Sequence, residues 1–577
     1  MFYHILLLGF LTQTSIQTIH YDYVIIGGGT CGLTVANRLS SHPDTTVAVI
    51  EPGKDEHDNP NVTSILGLGL AFNTSVDWQY MSTNQIYAAN QQVEYHSGKA
   101  WGGSSAINGL TYIRAQNAHI DAWETLGNEG WNWSTLFPYY RKSEAFQIPT
   151  PAQTDAGASY IPDYHGYTGP VNVGYPLEMP NGSLASLVNI TWRNLGYEFN
   201  PDPNGGYVDG FSVWPMTVDR DKDVRADAAR AYYYPVRERT NLVMIQGLVN
   251  RIIWKEDTME DALAEGVEFT APDGTVQRLY ANKEVILSAG AIRSPAILEL
   301  SGVGNPDILT QNNIPIRIPL PAVGENAQDQ PNNVILYAPR TPNLTDGILP
   351  YATFITASDL FGPNLSTIAN TTLAAIPEWA TTLSLASNST VSIPSLTTQL
   401  LLQHSLIFTD QVPCAEIFTT RIESSLASSV WPLMPFSRGS VHITSSNPEE
   451  YPALDPRFFI IDWDVTFALK VAELAGLFWA TEPARWMVGE RVFPSAGVEL
   501  DAEWVRGSFY ANHHLVGTAI MLPRELGGVV GTNLRVYGTR NVRVIDASVL
   551  PMHLSGHLTS TLYAVAERAA DLIMDDW

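Results

Sequence analysis

The first residues whose types and spacing suggest chemistry lie near the start of the chain. Gly27, Gly29 and Gly32 keep the GxGxxG spacing directly after the apolar run Val24, Ile25 and Ile26. Glycines so placed permit a tight turn, let the backbone approach a pyrophosphate and allow a following helix to pack closely, while the helix N-terminus offers amide donors and a positive dipole. A second apolar segment, residues 46–50, ends at Glu51, nineteen residues past Gly32. A carboxylate there would accept a hydrogen bond from a ribose hydroxyl. Strand, glycines, helix, strand and terminal acid in this order specify a dinucleotide site, for either NAD or FAD.

The elements that must position this site are those of a mixed α/β chain. A helix is expected over residues 33–39, and strands over 242–245, 251–254, 284–288 and 542–545. A further helix is expected over 121–126. At the C-terminus Leu562, Val565, Ala566, Ala569, Leu572 and Ile573 recur at helical spacing, with Thr559 and Ser560 as expected N-caps. That helix would begin just after His557 and turn its positive end toward whatever His557 touches. Residues 340–410 are rich in Ser, Thr, Leu, Ala and Asn and read as a surface portion, either a decoration or an overhang of a substrate entrance.

Composition narrows the function class. A chain of 577 residues exceeds what one hydrophobic core usually supports, so two domains are expected. A formal net charge of −26 with only 32 Lys and Arg would repel a polyanion, which excludes nucleic-acid binding. The apolar run at residues 5–11 suits the core of a signal peptide, expected to span residues 1–18, although no Lys or Arg precedes it; a plain N-terminal tail is the alternative. No later run is long enough for a stable membrane span. Nine Asn-x-Ser/Thr sequons, at Asn61, Asn73, Asn132, Asn181, Asn189, Asn343, Asn364, Asn370 and Asn388, fit secretion with N-glycosylation. Cys31 and Cys414 allow at most one disulfide, and Cys31, inside the glycine turn, reads as a small buried residue. The oligomeric state is open, with a homodimer as one outcome.

Three further blocks carry a family resemblance: GKAWGGSSAINGLTYIRA at residues 98–115, GAIRSPAILELSGVG at 290–304, and the tail from His514 through NVRVIDASVLP to His557. With the glycine turn they resemble the glucose-methanol-choline (GMC) oxidoreductases, FAD enzymes that oxidise alcohols, and within them the secreted fungal glucose dehydrogenases and glucose oxidases. The resemblance implies a Rossmann-like FAD-binding domain (residues 19–150, 225–330 and 525–577) interleaved with an antiparallel-sheet substrate domain (residues 151–224 and 331–524). It implies FAD rather than NAD, with the adenosine on Gly27, Gly29, Thr30, Cys31, Gly32 and Glu51, and Val249 on the adenine side. The isoalloxazine would lie beside Gly103, Ser104, Asn108, Gly109, Leu110 and Thr111, with Asp546, Ala547, Leu558 and Thr559 closing the pocket.

The chain has 13 His, and residue type alone does not choose among them. The resemblance does: His514 and His557 match the family's catalytic pair. Alcohol oxidation removes a hydroxyl proton and transfers a hydride from carbon to flavin N5, and an imidazole suits the first task. His514 is taken as the base and His557 as the group that positions the hydroxyl, while His513 is expected to project elsewhere. Glucose-active relatives carry an Arg where this sequence has Tyr510, two residues before Asn512. They also carry a Glu that the alignment places at Ser429, and a Tyr replaced here by Leu68. Each missing partner would leave a sugar hydroxyl unsatisfied at about 1–3 kcal/mol. A small aromatic, allylic or hemiacetal alcohol, as for patulin synthase in this family, is therefore expected in place of glucose, with oxygen or a quinone as electron acceptor. A non-redox cyclase resembling versicolorin B synthase and a true glucose dehydrogenase or oxidase are the alternatives.

Overall fold

The structure is a computed structural model that describes residues 20–65, 69–179, 182–256, 260–340 and 350–577. The expected signal segment at 1–18, Leu68 and the sequons at Asn181 and Asn343 lie outside the described residues.

The sequence of buried apolar runs builds one seven-stranded sheet. Its strands Leu242–Gln246, Val47–Glu51, His20–Ile26 and Val276–Leu287 lie side by side and parallel, and Val542–Val544 continues the parallel set on the far edge of the second half of Val276–Leu287. Val24, for example, stands between Ala48 and Val285. Every residue of Val47–Glu51 is buried, as a parallel strand covered on both faces requires, which is why it reads as an unbroken apolar run. Leu248–Trp254 and Ala264–Thr270 add an antiparallel edge to the first half of Val276–Leu287.

The glycine turn leads into the helix Thr30–Leu39, which packs on the C-terminal helix Leu558–Asp575. Arg38 locks the pair, its Nε donating to Glu567 Oε2 at 2.7 Å. The C-terminal helix starts where expected, but its N-cap is His557, with no side-chain cap. Thr559 and Ser560 sit inside the first turn instead: Ser560 Oγ donates to Ile113 O, and Thr559 Oγ1 accepts from Asn108 Nδ2.

A second, antiparallel sheet orders Val488–Phe493, Pro331–Pro339, Ser425–Pro432, Ala415–Ile422, Tyr351–Ile355 and Gly210–Val213, with Tyr510–Ala511 pairing on Pro331–Pro339. The helix Trp463–Ala480 packs against it, and Trp479 Nε1 donates to Ser428 Oγ at 2.8 Å. The region read as a surface portion proves more ordered than its composition suggested. It holds the strand Tyr351–Ile355 and two packed helices, Leu365–Ala386 and Ile393–Phe408, whose sparse charge hid their periodicity. Cys31 and Cys414 are both free and buried. No helix among the described residues is long and apolar enough to cross a membrane.

One buried ion pair ties the parallel sheet to the chain's end. Arg543 Nε and Nη2 donate to the two oxygens of Glu284 at 2.7 and 2.9 Å, and both side chains are fully buried. Arg543→Met strips Glu284 of its main partner. Arg535 and Trp577 still donate to that carboxylate, so the loss is expected at the low end for a broken buried pair, about 3 kcal/mol. A chemical-denaturation midpoint equal to wild type would show that the pair does not hold the sheet.

Candidate active site

The carboxyl ends of all five parallel strands open on one cavity. Ile26 leads to Gly27, strand Val47–Glu51 ends on Glu51, Gln246 leads to Leu248 and Val249, Leu287 to Ser288, and Val544 to Asp546; Ile26, Gly27, Glu51, Leu248, Val249, Ser288 and Asp546 line the cavity. This is where an open parallel sheet binds ligands, because the loops there leave strand ends and helix N-termini free. Of the residues expected around a cofactor, all but Gly32 and Leu110 line this space. Gly32 is a packing glycine, since a Cβ on it would meet Gly27 O at 2.0 Å. Leu110 is buried with a left-handed φ of +65°.

Glu51 is buried at the end of its strand, where Oε2 accepts from Gly28 N at 2.9 Å and Oε1 from Gly53 N at 2.8 Å. Burial pushes its carboxyl up to about 7 against these two bonds. Asp546 is fixed similarly: Oδ2 accepts from Gly290 N and Ser294 Oγ, and Oδ1 from Ser548.

His514 and His557 line the same cavity, their ring centroids 5.4 Å apart and nearly perpendicular. His514 follows the short strand Tyr510–Ala511, and its backbone N donates to Asp329 Oδ1 at 3.0 Å. Its Nδ1 lies 3.0 Å from Gln330 Oε1 and 3.2 Å from Asn512 Nδ2. Burial, then the neighbouring His557, His553 and His513, holds the His514 imidazole well below its ordinary range and so uncharged. His557 Nε2 is 3.2 Å from both oxygens of Glu416, a fully buried carboxylate.

The family description GMC oxidoreductase matches residues 21–332 in its N-terminal part and 435–566 in its C-terminal part. The chain is a GMC oxidoreductase. It is 46% identical over 565 residues to the glucose oxidase-like protein fsoC of Humicola fuscoatra, covering 96% of this chain and 95% of that one. It is 34% identical to a glucose oxidase of Penicillium chrysogenum, covering 98% and 94%. In structure it is similar to an FAD-dependent oxidoreductase from Chaetomium thermophilum, with a TM-score of 0.88, 27% identity and coverage of 96% and 99%. A fungal aryl-alcohol oxidase gives a TM-score of 0.86 with 28% identity and the same coverage. Enzymes of this family are FAD-dependent and act on CH–OH donors, and this GMC oxidoreductase is an enzyme of that kind, with the mixed α/β fold they share.

The residues present fit FAD. The helix Thr30–Leu39 has no side-chain cap and no acid in its first turn, leaving its amide donors for an anion. A Cβ on Gly29 would find nothing nearer than 3.8 Å, so that backbone faces open space. Ser288 Oγ, buried in the cavity wall, has no hydrogen-bond partner. Gly29, Thr30 and Glu51 would hold the ribose and phosphates, and the segment Gly103–Ala106 would border the ring.

Several expectations about the substrate side change in this GMC oxidoreductase. His513 does not project elsewhere: with a φ of +59° it lines the same cavity as His514 and packs on His96 at 5.0 Å. Burial and His96 lower it to about 4. The alignment that left Ser429 in a glutamate's place missed Glu416, which does put a carboxylate at the histidines. The signal was present, as an acid inside the apolar strand Ala415–Ile422 has to be partnered. Ser429, Tyr510 and Asn512 are not part of the cavity lining. Tyr510 OH lies 3.4 Å from Ser429 Oγ and lines a shallow groove with Phe72, His96 and His513. Asn512 spends its amide internally, donating to Gln330 Oε1 and accepting from Asn332 Nδ2. Gly290 and Arg293, in the block at 290–304, and Ser288, at the end of the strand expected over 284–288, also line the cavity, a role their sequence context does not announce.

Gly103 tests the cradle, since a Cβ there would stand 2.7 Å from Gly29 Cα, backbone against backbone. Gly103→Ala is expected to yield protein with less than about a tenth of the wild-type flavin, given the steric cost of such an approach. Full flavin absorbance in the purified variant would refute that close packing as the basis of the site.

Proposed function

We propose that this enzyme oxidises a small aromatic, allylic or hemiacetal alcohol to a carbonyl, with His514 as the base. The observation that carries this reading is the uncharged, buried imidazole of His514, which stands beside His557 in the cavity that also takes in the glycine turn. FAD, when bound, supplies the hydride acceptor. His514 takes the hydroxyl proton, and its low basicity keeps it ready to do so at neutral and mildly acidic pH. His557, with Nε2–H donating to Glu416, borders the same space and positions the substrate hydroxyl. The parallel-sheet segments serve the cofactor and the antiparallel sheet serves the substrate.

The surroundings of His557 support an apolar alcohol. Trp431 stands edge-on to its ring at 6.3 Å, Phe418 packs behind Trp431, and Trp214 behind Phe418. Glu416 and Trp431 are direct cross-strand partners, as are Phe418 and Ser429, so one sheet face presents all four. These rings pack behind His557 and do not line the cavity itself, so they give that side of the site an apolar backing with few polar partners for a polyol's hydroxyls. Exposed sequons at Asn73, Asn364, Asn370 and Asn388 support secretion with N-glycosylation, which a mass loss on amidase treatment of secreted protein would test.

His514→Ala should retain flavin yet lose anaerobic flavin reduction by about 10²-fold or more; a wild-type reduction rate would remove His514 from the role. In a panel of 4-methoxybenzyl alcohol, cinnamyl alcohol and glucose, the first two should reduce the flavin fastest, and faster reduction by glucose would overturn the substrate reading. Mixing the reduced enzyme with oxygen and with benzoquinone then compares the two acceptors.

The pH dependence follows from the direction of the His514 shift. Protonation silences a base as pH falls through its own pKa, and burial has moved that pKa below 6.5. Flavin reduction should therefore hold level from pH 8 through 6.5 and fall only well below it. A limb centred at 6.5 or higher would contradict the buried, neutral imidazole.

A further inference from the structure

His514 can act as a base through Nε2 only if its proton sits on Nδ1, and the choice is made by a side chain that does not touch the cavity. Gln330 is fully buried. Its Nε2 donates to Leu433 O at 3.1 Å, and a main-chain carbonyl can only accept, so the amide has one orientation. The same Nε2 lies 3.0 Å from His553 Nδ1, which also accepts from Leu554 N at 3.0 Å. His553 therefore carries its proton on Nε2, from which it donates to His514 O at 2.9 Å. Both bonds of Gln330 Nε2 would be lost if the amide were turned over.

With the amide so fixed, its oxygen is what faces His514. Gln330 Oε1 accepts from Asn512 Nδ2 at 2.9 Å and lies 3.0 Å from His514 Nδ1. An unprotonated Nδ1 would set two lone pairs against each other at that distance, whereas Nδ1–H makes a good hydrogen bond. Asn512 Nδ2, 3.2 Å from the same ring nitrogen, gives one hydrogen to Gln330 Oε1, and turning its second onto Nδ1 would leave the ring's lone pair 3.0 Å from that same oxygen. No other hydrogen bond among the described residues reaches the His514 ring.

We propose that Gln330 is a positioning residue: its side-chain carbonyl, oriented by Leu433 O and His553, holds the proton on His514 Nδ1 and leaves Nε2 as the proton-accepting nitrogen. The inference rests on His514 being the base. Ionisable groups facing His514 are His557 with Glu416 behind it, His553, His513, and Asp329 at its backbone N, and none of them bonds Nδ1.

The experiment compares FAD-loaded wild type, Gln330→Leu and Gln330→Glu by anaerobic flavin reduction from pH 4.5 to 9. It uses whichever of 4-methoxybenzyl alcohol, cinnamyl alcohol and glucose reduces the wild type fastest. Gln330→Leu, with no acceptor for Nδ1–H, should reduce flavin about 10- to 100-fold more slowly at saturating alcohol, with the half-saturating concentration within about threefold of wild type. Gln330→Glu keeps the acceptor but adds charge, so imidazolium is favoured and the acidic limb should move up by about one pH unit or more. An unmoved limb in Gln330→Glu, or wild-type speed in Gln330→Leu, overturns the proposal; so does loss of flavin from both variants, which would assign the residue to the fold. If His514→Ala is inactive and the Gln330→Glu limb stays put, only this inference falls. If His514→Ala reduces flavin normally, the base assignment itself is wrong.

Discussion

Desolvation of an imidazole penalises its charged form, and at His514 that penalty organises the site around it. A histidine left in water would be partly protonated below neutrality and would exchange its proton between two nitrogens. Buried beside His553, His557 and His513, it stays neutral, and its one proton must find an acceptor inside the protein. The surrounding amides, Asn332, Asn512 and Gln330, form a chain in which each donates to the next, ending on Leu433 O and His553. Turning Gln330 over would forfeit both bonds of its Nε2, so the network tolerates few alternative arrangements.

The two sheets supply the complementary halves of that arrangement. The parallel sheet delivers Gly27, Glu51, Val249, Ser288 and Asp546 at the ends of its strands, so the residues that line the cavity come from segments far apart in the chain. The antiparallel sheet delivers Glu416 and Trp431 on one face. The join is the segment around residues 328–332. Gln328 bridges Val516, Asp329 and Gln330 reach His514, and Pro331 and Asn332 pair with Ala511 and Tyr510. Asp329, buried and raised to about 7 by that burial, accepts the backbone N–H of both Gln330 and His514. One short strand edge thus sets the histidine's height above the cofactor side of the cavity.

How much of this was readable from the sequence depends on whether the signal was local. The glycine turn, its apolar strand and Glu51 are contiguous enough to be seen directly, and the helix after His557 announced itself through periodic apolar residues. The C-terminal cap was misjudged because Thr559 and Ser560 are good capping types, yet their hydroxyls are drawn to Asn108 and Ile113, partners more than 440 residues away. The helices at Leu365–Ala386 and Ile393–Phe408 were missed because serines and threonines there face solvent or bond back to carbonyls one turn earlier, as Thr371 and Thr397 do. Gln330 closes the segment VGENAQDQ and Glu416 is an acid inside a strand, but neither context says which groups the fold brings to them.

Glu416 also recasts the argument about the substrate. A carboxylate near the reacting centre suggests sugar recognition if it is free to accept hydroxyl protons. Here it is fully buried, with both oxygens 3.2 Å from His557 Nε2, so its charge is matched to the imidazole. Bidding it away for a sugar hydroxyl would trade a charge-assisted hydrogen bond for a neutral one, at a loss on the order of 1 kcal/mol. The carboxylate is therefore committed to His557. The absent arginine at Tyr510 points the same way, since its ring reaches Ser429 and the outer groove rather than the cavity. On the proposed reading a polyol gains no free acid from Glu416, because both of its oxygens already face His557.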